Sequence, residues 1–401
     1  MNGIFVSAML VSLLGLWSPG VPGSAENVLF ARGDSIPAVR KVRDIVIYED
    51  PRFHCAFPSV IRRPDGEIIV AFRRAPDRRI FGEKGTSHVD PNSYLMKVTS
   101  RDGISWDKEP ALIYANPFGG SQDPCLLQLR DGMILCTSYA WAFVRPEGIP
   151  NLKRPVFESA PGVVFLGGYV MRSADGGRRW EGPLYPPHIE PELNNSATGE
   201  PLPAYNRGAL CEGKNGNIYW VVAASDSTAP ETKTSTHLLV SKDKGRTWKY
   251  SAPVAIDERV SFNETSLYET PKGDLVAFLR TAGLDDQACI ARSKDGGKTF
   301  EPWQTMGFQG HPLQALRLPD NRVLVVYGYR HKPFGIRARI LNAECTDFDT
   351  SPELVIRDDG TTTDLGYPWA VMLDKKRILV TYYFATKGRS QHIAGTILEL
   401  L

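Results

Sequence analysis

The chain has 401 residues, of which 42% are hydrophobic, 10% aromatic and 23% charged, with 36 Gly and 30 Pro. This composition excludes a disordered or collagen-like chain. The 47 basic and 45 acidic residues are spread along the sequence for a formal net charge of +2, which excludes a strongly basic nucleic-acid footprint and an acidic solvating tail. At this length two or three domains are expected unless a closed β architecture runs as one unit, so internal repeats decide.

The chain opens on an apolar run from Ile4 to Trp17, bounded by Ser18, Pro19 and Gly20. Gly23, Ser24 and Ala25 offer a signal-peptidase site before Glu26. About fourteen apolar residues fall short of the roughly 20 that a membrane span needs. Residues 1–25 are therefore expected to be a signal peptide, and the mature chain, 26–401, to be secreted or periplasmic with no stable membrane span.

Val42 to Tyr48 reads as a strand, and six hairpins follow it. In the first, the apolar runs Ser59–Ile61 and Glu67–Phe72 flank Asp65-Gly66. Five more share the pattern, with turns at Asp131-Gly132, Asn215-Gly216, Lys272-Gly273, Asp320-Asn321 and Asp374-Lys375. Asn-Gly and Asp-Gly supply the positive φ of tight hairpin turns, and the flanking Ile, Val, Leu, Phe and Tyr suit buried strands. A second repeat is interleaved with the first. Ser173 to Trp180, Ser241 to Trp248 and Ser293 to Phe300 each read Ser-x-Asp-x-Gly followed by an aromatic three residues later. A shortened copy runs from Ser100 to Trp106, and a worn one from Asn342 to Phe348. Here Ser and Asp bond the turn backbone, Gly takes the positive φ, and the aromatic packs between neighbouring sheets.

Six cysteines, Cys55, Cys125, Cys136, Cys211, Cys289 and Cys345, mostly sit singly in strand-like runs. Buried thiols are as well supported as disulfides, and no zinc spacing is present.

The repeated motif is the Asp box, or BNR repeat, and three well-formed copies in step with hairpins make the chain resemble the sialidase (neuraminidase) superfamily. The fold expected is all-β: a six-bladed propeller of four-stranded antiparallel blades, with 26–401 as a single domain of roughly 63 residues per blade. Val42–Tyr48 is expected to pair with His392–Leu398 and close the ring. The boxes themselves are folding elements on the exterior.

The resemblance also implies a site. Asn263-Glu264 precedes the fourth hairpin and Arg280 ends it, while Tyr367 opens the sixth. Tyr367 would be the nucleophile and Glu264 the base that takes its proton, since a phenol with pKa near 10 is otherwise a poor nucleophile. The acid is expected in the loop after the first hairpin: Asp90, with Asp77 and His88 as alternatives. Arg280, with Arg330 or Arg337, would fork onto an acidic group of the substrate. Ala56 stands where the family has its first arginine, and His54, with Arg73 or Arg74 from the adjacent strand end, can fill that space. Asp123, Arg207 and His311 precede the second, third and fifth hairpins, where tying blades together is as good a role as binding. Trp141, Tyr205 and Trp369 lie near predicted rim loops and can stack on a sugar.

The function expected is an exo-glycosidase releasing a terminal acidic sugar from a glycan or glycoconjugate, without cofactor or nucleic acid. The alternatives are a glycosidase or polysaccharide lyase acting on a non-sialic sugar, the lyase using His54 or His88 with Tyr367, and a non-catalytic binding propeller.

Overall fold

Each turn read from the sequence closes a hairpin. Asp65-Gly66 joins Phe53–Arg62 to Ile68–Pro76, with Ile61 opposite Ile69 and Val60 opposite Val70. Gly66, Gly132, Gly216 and Gly273 all take φ between 80° and 97°, and in the fifth turn Asn321 takes 70°. The sixth turn instead uses Asp374, whose Oδ1 accepts from the amides of Lys376 and Arg377 at 2.8 Å each.

The computed structural model describes residues 39–83, 88–152, 162–194, 199–226 and 233–401; the expected signal peptide lies outside them. Among these residues six antiparallel sheets are arranged as blades, and a short two-stranded ribbon pairs Ser261–Phe262 with Thr281–Ala282. Blade 1 runs Phe53–Arg62, Ile68–Pro76, Tyr94–Ser100, Ala111–Tyr114. Blade 2 splits its innermost strand into Gly120–Ser121 and Cys125–Gln128 and continues with Ile134–Phe143, Val163–Ser173 and Glu181–Leu184. Blade 3 is Cys211–Glu212, Ile218–Ser225, Thr234–Ser241 and Lys249–Ala255. Blade 4 is Ser266–Glu269, Leu275–Leu279, Gln287–Ser293 and Gln304–Gln309. Blade 5 is Leu313–Arg317, Val323–Tyr329, Gly335–Leu341 and Glu353–Arg357. Blade 6 takes Gly366–Met372, Arg377–Thr386 and Arg389–Leu400 from the C-terminal end and is completed by the N-terminal strand Val39–Tyr48. That strand pairs antiparallel with Arg389–Leu400, so strands from both ends of the described chain share one sheet and the ring closes.

The apolar faces pack blade against blade. Trp220, Trp248, Leu135 and Val170 join blades 2 and 3, while Leu324, Val326, Val380 and Phe384 join blades 5 and 6. Trp220 is fully buried with its ring 5.4 Å from Trp248, so Trp220→Ala should cost about 3–5 kcal/mol.

The Asp boxes occupy the turns between the third and fourth strands. In the four clear copies the Ser hydroxyl lies 2.8–3.0 Å from the Asp carboxylate and accepts from a Gly amide at 2.8–2.9 Å. In the worn copy Asp347 accepts from the Asn342 amide at 2.9 Å. Because the strands alternate in direction, these turns lie at the end of each blade opposite the starts of the innermost strands. All six cysteines are free, five of them buried. No helix among the described residues is long and apolar enough to cross a membrane.

Candidate active site

Two innermost strands break their register at the same kind of step, an aromatic residue followed by proline. Phe57-Pro58 interrupts the pairing between Ala56 and Ser59, and Tyr367-Pro368 interrupts it between Gly366 and Trp369. Phe57 and Tyr367 both adopt positive φ, 57° and 52°, although a residue before proline favours the extended region and a bulky side chain avoids the left-handed one. Such conformations cost about 1–3 kcal/mol each and persist where the surroundings hold them. The two rings meet edge to face at 4.9 Å.

What holds them is Arg207. Gly208, directly after it, sits where a Cβ would fall 1.8 Å from the Thr265 carbonyl oxygen, so glycine lets this segment press against blade 4. Arg207 is thereby lodged beneath Tyr367, its guanidinium 4.3 Å from the ring centroid. Its Nη2 donates to the carbonyls of Pro58 at 3.3 Å and Tyr367 at 3.4 Å, bridging the two strained steps.

The Tyr367 hydroxyl donates to Glu264 Oε1 at 2.6 Å and accepts from Arg280 Nη1 at 2.9 Å. Arg280 also pairs with the other oxygen of Glu264. Burial by itself would raise the Glu264 carboxyl, but Arg280 and Arg207, with the Tyr367 hydroxyl, outweigh it and hold the group below its ordinary value. Burial and the Glu264 charge push the Tyr367 phenol up. Arg330 completes this group with its guanidinium 5.4 Å from the Tyr367 centroid.

Asp364 is a second hub. It accepts from Tyr383 Oη at 2.8 Å, lies 3.0 Å from His54 Nε2, and has His88 Nδ1 at 3.7 Å. Burial opposes its charge, yet His54 and His88 outweigh that and hold the carboxyl far below its usual range. His88 is half-exposed and packs edge-on against Phe57 at 4.9 Å. Asp123 is buried, its Oδ2 accepting from Tyr139 Oη at 3.0 Å while its Oδ1 has no protein partner. Burial, reinforced by Glu264, pushes its carboxyl up to about 6. His311 lies beside Arg280 and Arg330, and burial together with those charges pushes it down to about 2, so it is neutral at physiological pH.

A cavity of about 230 Å³ opens next to Glu264, with Tyr139, Trp141, Phe165, Tyr205 and Asn206 in its walls. Of the aromatics expected at the rim, Trp141 and Tyr205 are there. Trp369 is buried in the core instead, its indole 5.6 Å from the Arg207 guanidinium.

The structure corrects three further expectations. Arg74 turns away from the site, donating to the hydroxyls of Tyr48 and Tyr94 and covering the Phe53 ring. Its neighbour Arg73, on the opposite side of the strand, is the one buried near Phe57. Arg337 is consumed within its own blade by the carbonyls of Pro333 and Arg357 and by the Tyr329 ring, which leaves Arg330 as the blade 5 arginine at the site. Asp90 is locked in a two-pronged pair with Arg78 at 2.7 and 2.9 Å and caps the Asn92 amide. Asp77 likewise caps a short 3₁₀ helix at Arg78–Phe81. Asp364 and Tyr383, which tie His54, His88 and Arg330 together, carry no sequence signal beyond lying beside Tyr367 or in an apolar strand.

A profile of the BNR repeat-like domain matches residues 156–379, more than half of the chain. The chain belongs to the BNR repeat-like family. It is similar to a solved protein of unknown function from Dyadobacter fermentans, with 73% identity and a TM-score of 0.89 over 91% of this chain and all of that one. Among sialidases, it is similar to the Hadza microbial sialidase Hz136 at 15% identity, TM-score 0.58, covering 86% of this chain and 66% of that one. It is similar to Streptococcus pneumoniae NanB sialidase at 15%, TM-score 0.56, covering 95% and 71%. It is similar to Trypanosoma rangeli sialidase at 13%, TM-score 0.59, covering 90% and 60%. These sialidases share with the BNR chain its six-bladed propeller fold. No curated protein matches it.

Proposed function

We propose that the protein is an exported glycoside hydrolase that removes a terminal acidic sugar, sialic acid or a related residue, from glycans. The observation that carries this reading is the Tyr367 hydroxyl bonded to Glu264 at 2.6 Å with Arg280 on the same oxygen. A carboxylate positioned on a phenol is a base for making it a nucleophile. Arg280 and Arg330 beside that phenol suit an anionic sugar, and a neutral tyrosine approaches an anionic anomeric centre without the repulsion a carboxylate would meet. The aromatic wall beside Glu264 offers faces on which sugar C–H groups pack. The sequence of residues 1–25 supports export.

The test is product analysis with a panel of acidic glycosides for the wild type and Glu264→Gln. Released free sugar, lost in the variant, supports hydrolysis; unchanged activity in the variant removes Glu264 from the mechanism. The cluster of His54, His88 and Asp364 beside Tyr367 favours one second reading, a lyase in which histidine and tyrosine share base and acid roles. Its product is an unsaturated uronate with ultraviolet absorbance, which a hydrolase does not form.

A further inference from the structure

The hydrolytic reading leaves the leaving-group oxygen without a proton donor. Glu264 is the base and Asp364 is held by Tyr383 and His54, and three further carboxylic acids are engaged or enclosed. Asp90 is paired with Arg78 in both oxygens. Asp77 holds the amide and guanidinium of Arg79. Asp123 is only 1% exposed and faces Tyr139. His88 differs from all three, because its side chain is 53% exposed and it packs on the same Phe57 ring that Tyr367 meets.

Its surroundings fix its orientation. Gln122 Nε2 donates to the His88 carbonyl at 2.8 Å, anchoring this residue to blade 2. The imidazole rests on the Phe57 ring at 4.9 Å, and Tyr367 rests on the same ring at 4.9 Å, so the two centroids are no further apart than twice that distance. Nδ1 faces Asp364 at 3.7 Å, which turns Nε2 away from the carboxylate. Asp364 is in turn fixed by Tyr383 and His54. An imidazole in ion-pair contact with a fixed carboxylate is oriented toward it through that nitrogen. The other ionisable groups around His88 are His54 and Asp123, with Arg73 5.8 Å from the centroid of the Phe57 ring on which it packs.

We propose that His88, positioned by Asp364, is the general acid and base of this site. The assignment rests on the hydrolytic reading with Tyr367 as nucleophile. As Glu264 takes the phenolic proton, Tyr367 Oη forms a bond to the anomeric carbon and the glycosidic C–O bond breaks. The electron pair of that bond passes to the leaving oxygen, which takes the proton from His88 Nε2. In the second half, neutral His88 takes a proton from water, the water oxygen bonds to the anomeric carbon, and Tyr367 departs with the proton returned by Glu264. The net change adds one water across the glycosidic bond, and Tyr367, Glu264 and His88 all end as they began.

The experiment compares leaving groups, since an aryl oxide departs without proton donation and an alkoxide does not. The probes are the 4-methylumbelliferyl and the methyl glycosides of N-acetylneuraminic acid and of glucuronic acid, assayed with wild type, His88→Gln and Asp364→Asn. The expected result is a loss of at least about 100-fold in kcat/KM for His88→Gln on the methyl glycoside, with less than about tenfold on the aryl glycoside. Asp364→Asn should show the same asymmetry to a smaller degree with an unfolding midpoint read alongside. Equal losses on both leaving groups, or none on either, overturn the assignment while leaving Tyr367 and Glu264 in place. A wild type that cleaves none of the four overturns the hydrolytic reading and this assignment with it.

Discussion

Replacing Glu264 by Gln keeps the shape of the side chain and an oxygen for the Tyr367 hydroxyl, but removes the base. In the wild type that hydroxyl lies 2.6 Å from Glu264 and 2.9 Å from Arg280. Burial and the carboxylate push the phenol above its ordinary value, so at pH 7 fewer than about one in a thousand molecules carries free tyrosinate. The proton must therefore leave during attack. A positioned base is worth about 10²–10⁴ in rate, or roughly 3–5.5 kcal/mol of barrier at about 1.36 kcal/mol per decade. Stability should respond too, because Arg280 loses its counter-charge. Removing one member of a buried pair costs about 3–5 kcal/mol, and the amide, which still accepts a hydrogen bond, should bring the loss to the lower end. The sign with pH follows from the depressed carboxyl of Glu264. Its contribution is present above the unfolded carboxyl value and is lost as pH falls through the lower folded one, and the Gln variant should lack that loss. The assays are kcat on a cleaved aryl glycoside and urea unfolding at pH 3 to 7. A variant that retains kcat within threefold while folded would refute the reasoning.

Three other outcomes are expected. Arg330→Met should raise KM at least about tenfold by removing a charge-assisted anion contact, whereas Arg337→Met should lower the unfolding midpoint with KM unchanged; steady-state kinetics and thermal unfolding separate the two. Arg207→Met should reduce kcat about tenfold or more with little change in KM, because the bridge between Pro58 and Tyr367 is lost and the nucleophile drifts, and Arg207→Lys, lacking the planar fork, should not restore it. Asp123, whose carboxyl burial and Glu264 push up, binds its proton more tightly folded than unfolded, so stability should fall as pH rises from the unfolded carboxyl value through the raised folded one. Asp123→Asn should abolish that fall, and unfolding free energies at pH 4.5 and 7 that still differ as in the wild type would contradict this.

The ring was legible because its signals are local. Asx-Gly turns need only adjacent residues, and each predicted hairpin is present, as is the pairing of the first strand with the last, which extends over Val39–Tyr48 and Arg389–Leu400. The resemblance implied a Glu264 and Tyr367 pair, and the two side chains lie 2.6 Å apart. The rest of the site depends on side-chain direction and long-range partners. Arg73 and Arg74 are equivalent in composition, and only the alternation of the strand sends one inward and the other to Tyr48 and Tyr94. Asp90 reads as a free loop carboxylate until Arg78, twelve residues earlier, folds back onto it. Asp364 becomes a hub only when His54 and His88, from another blade, arrive beside it.

The central claim, that Tyr367 is the nucleophile, is tested most directly by trapping. Incubation with a fluorinated acidic-sugar analogue that forms the glycosyl-enzyme rapidly and hydrolyses it slowly, followed by peptide mass spectrometry, reads the attachment site. The account predicts one glycosyl adduct on the oxygen of Tyr367, absent in Tyr367→Phe. An adduct on a carboxylate, or turnover of the analogue's parent glycoside by Tyr367→Phe at the wild-type rate, would contradict it.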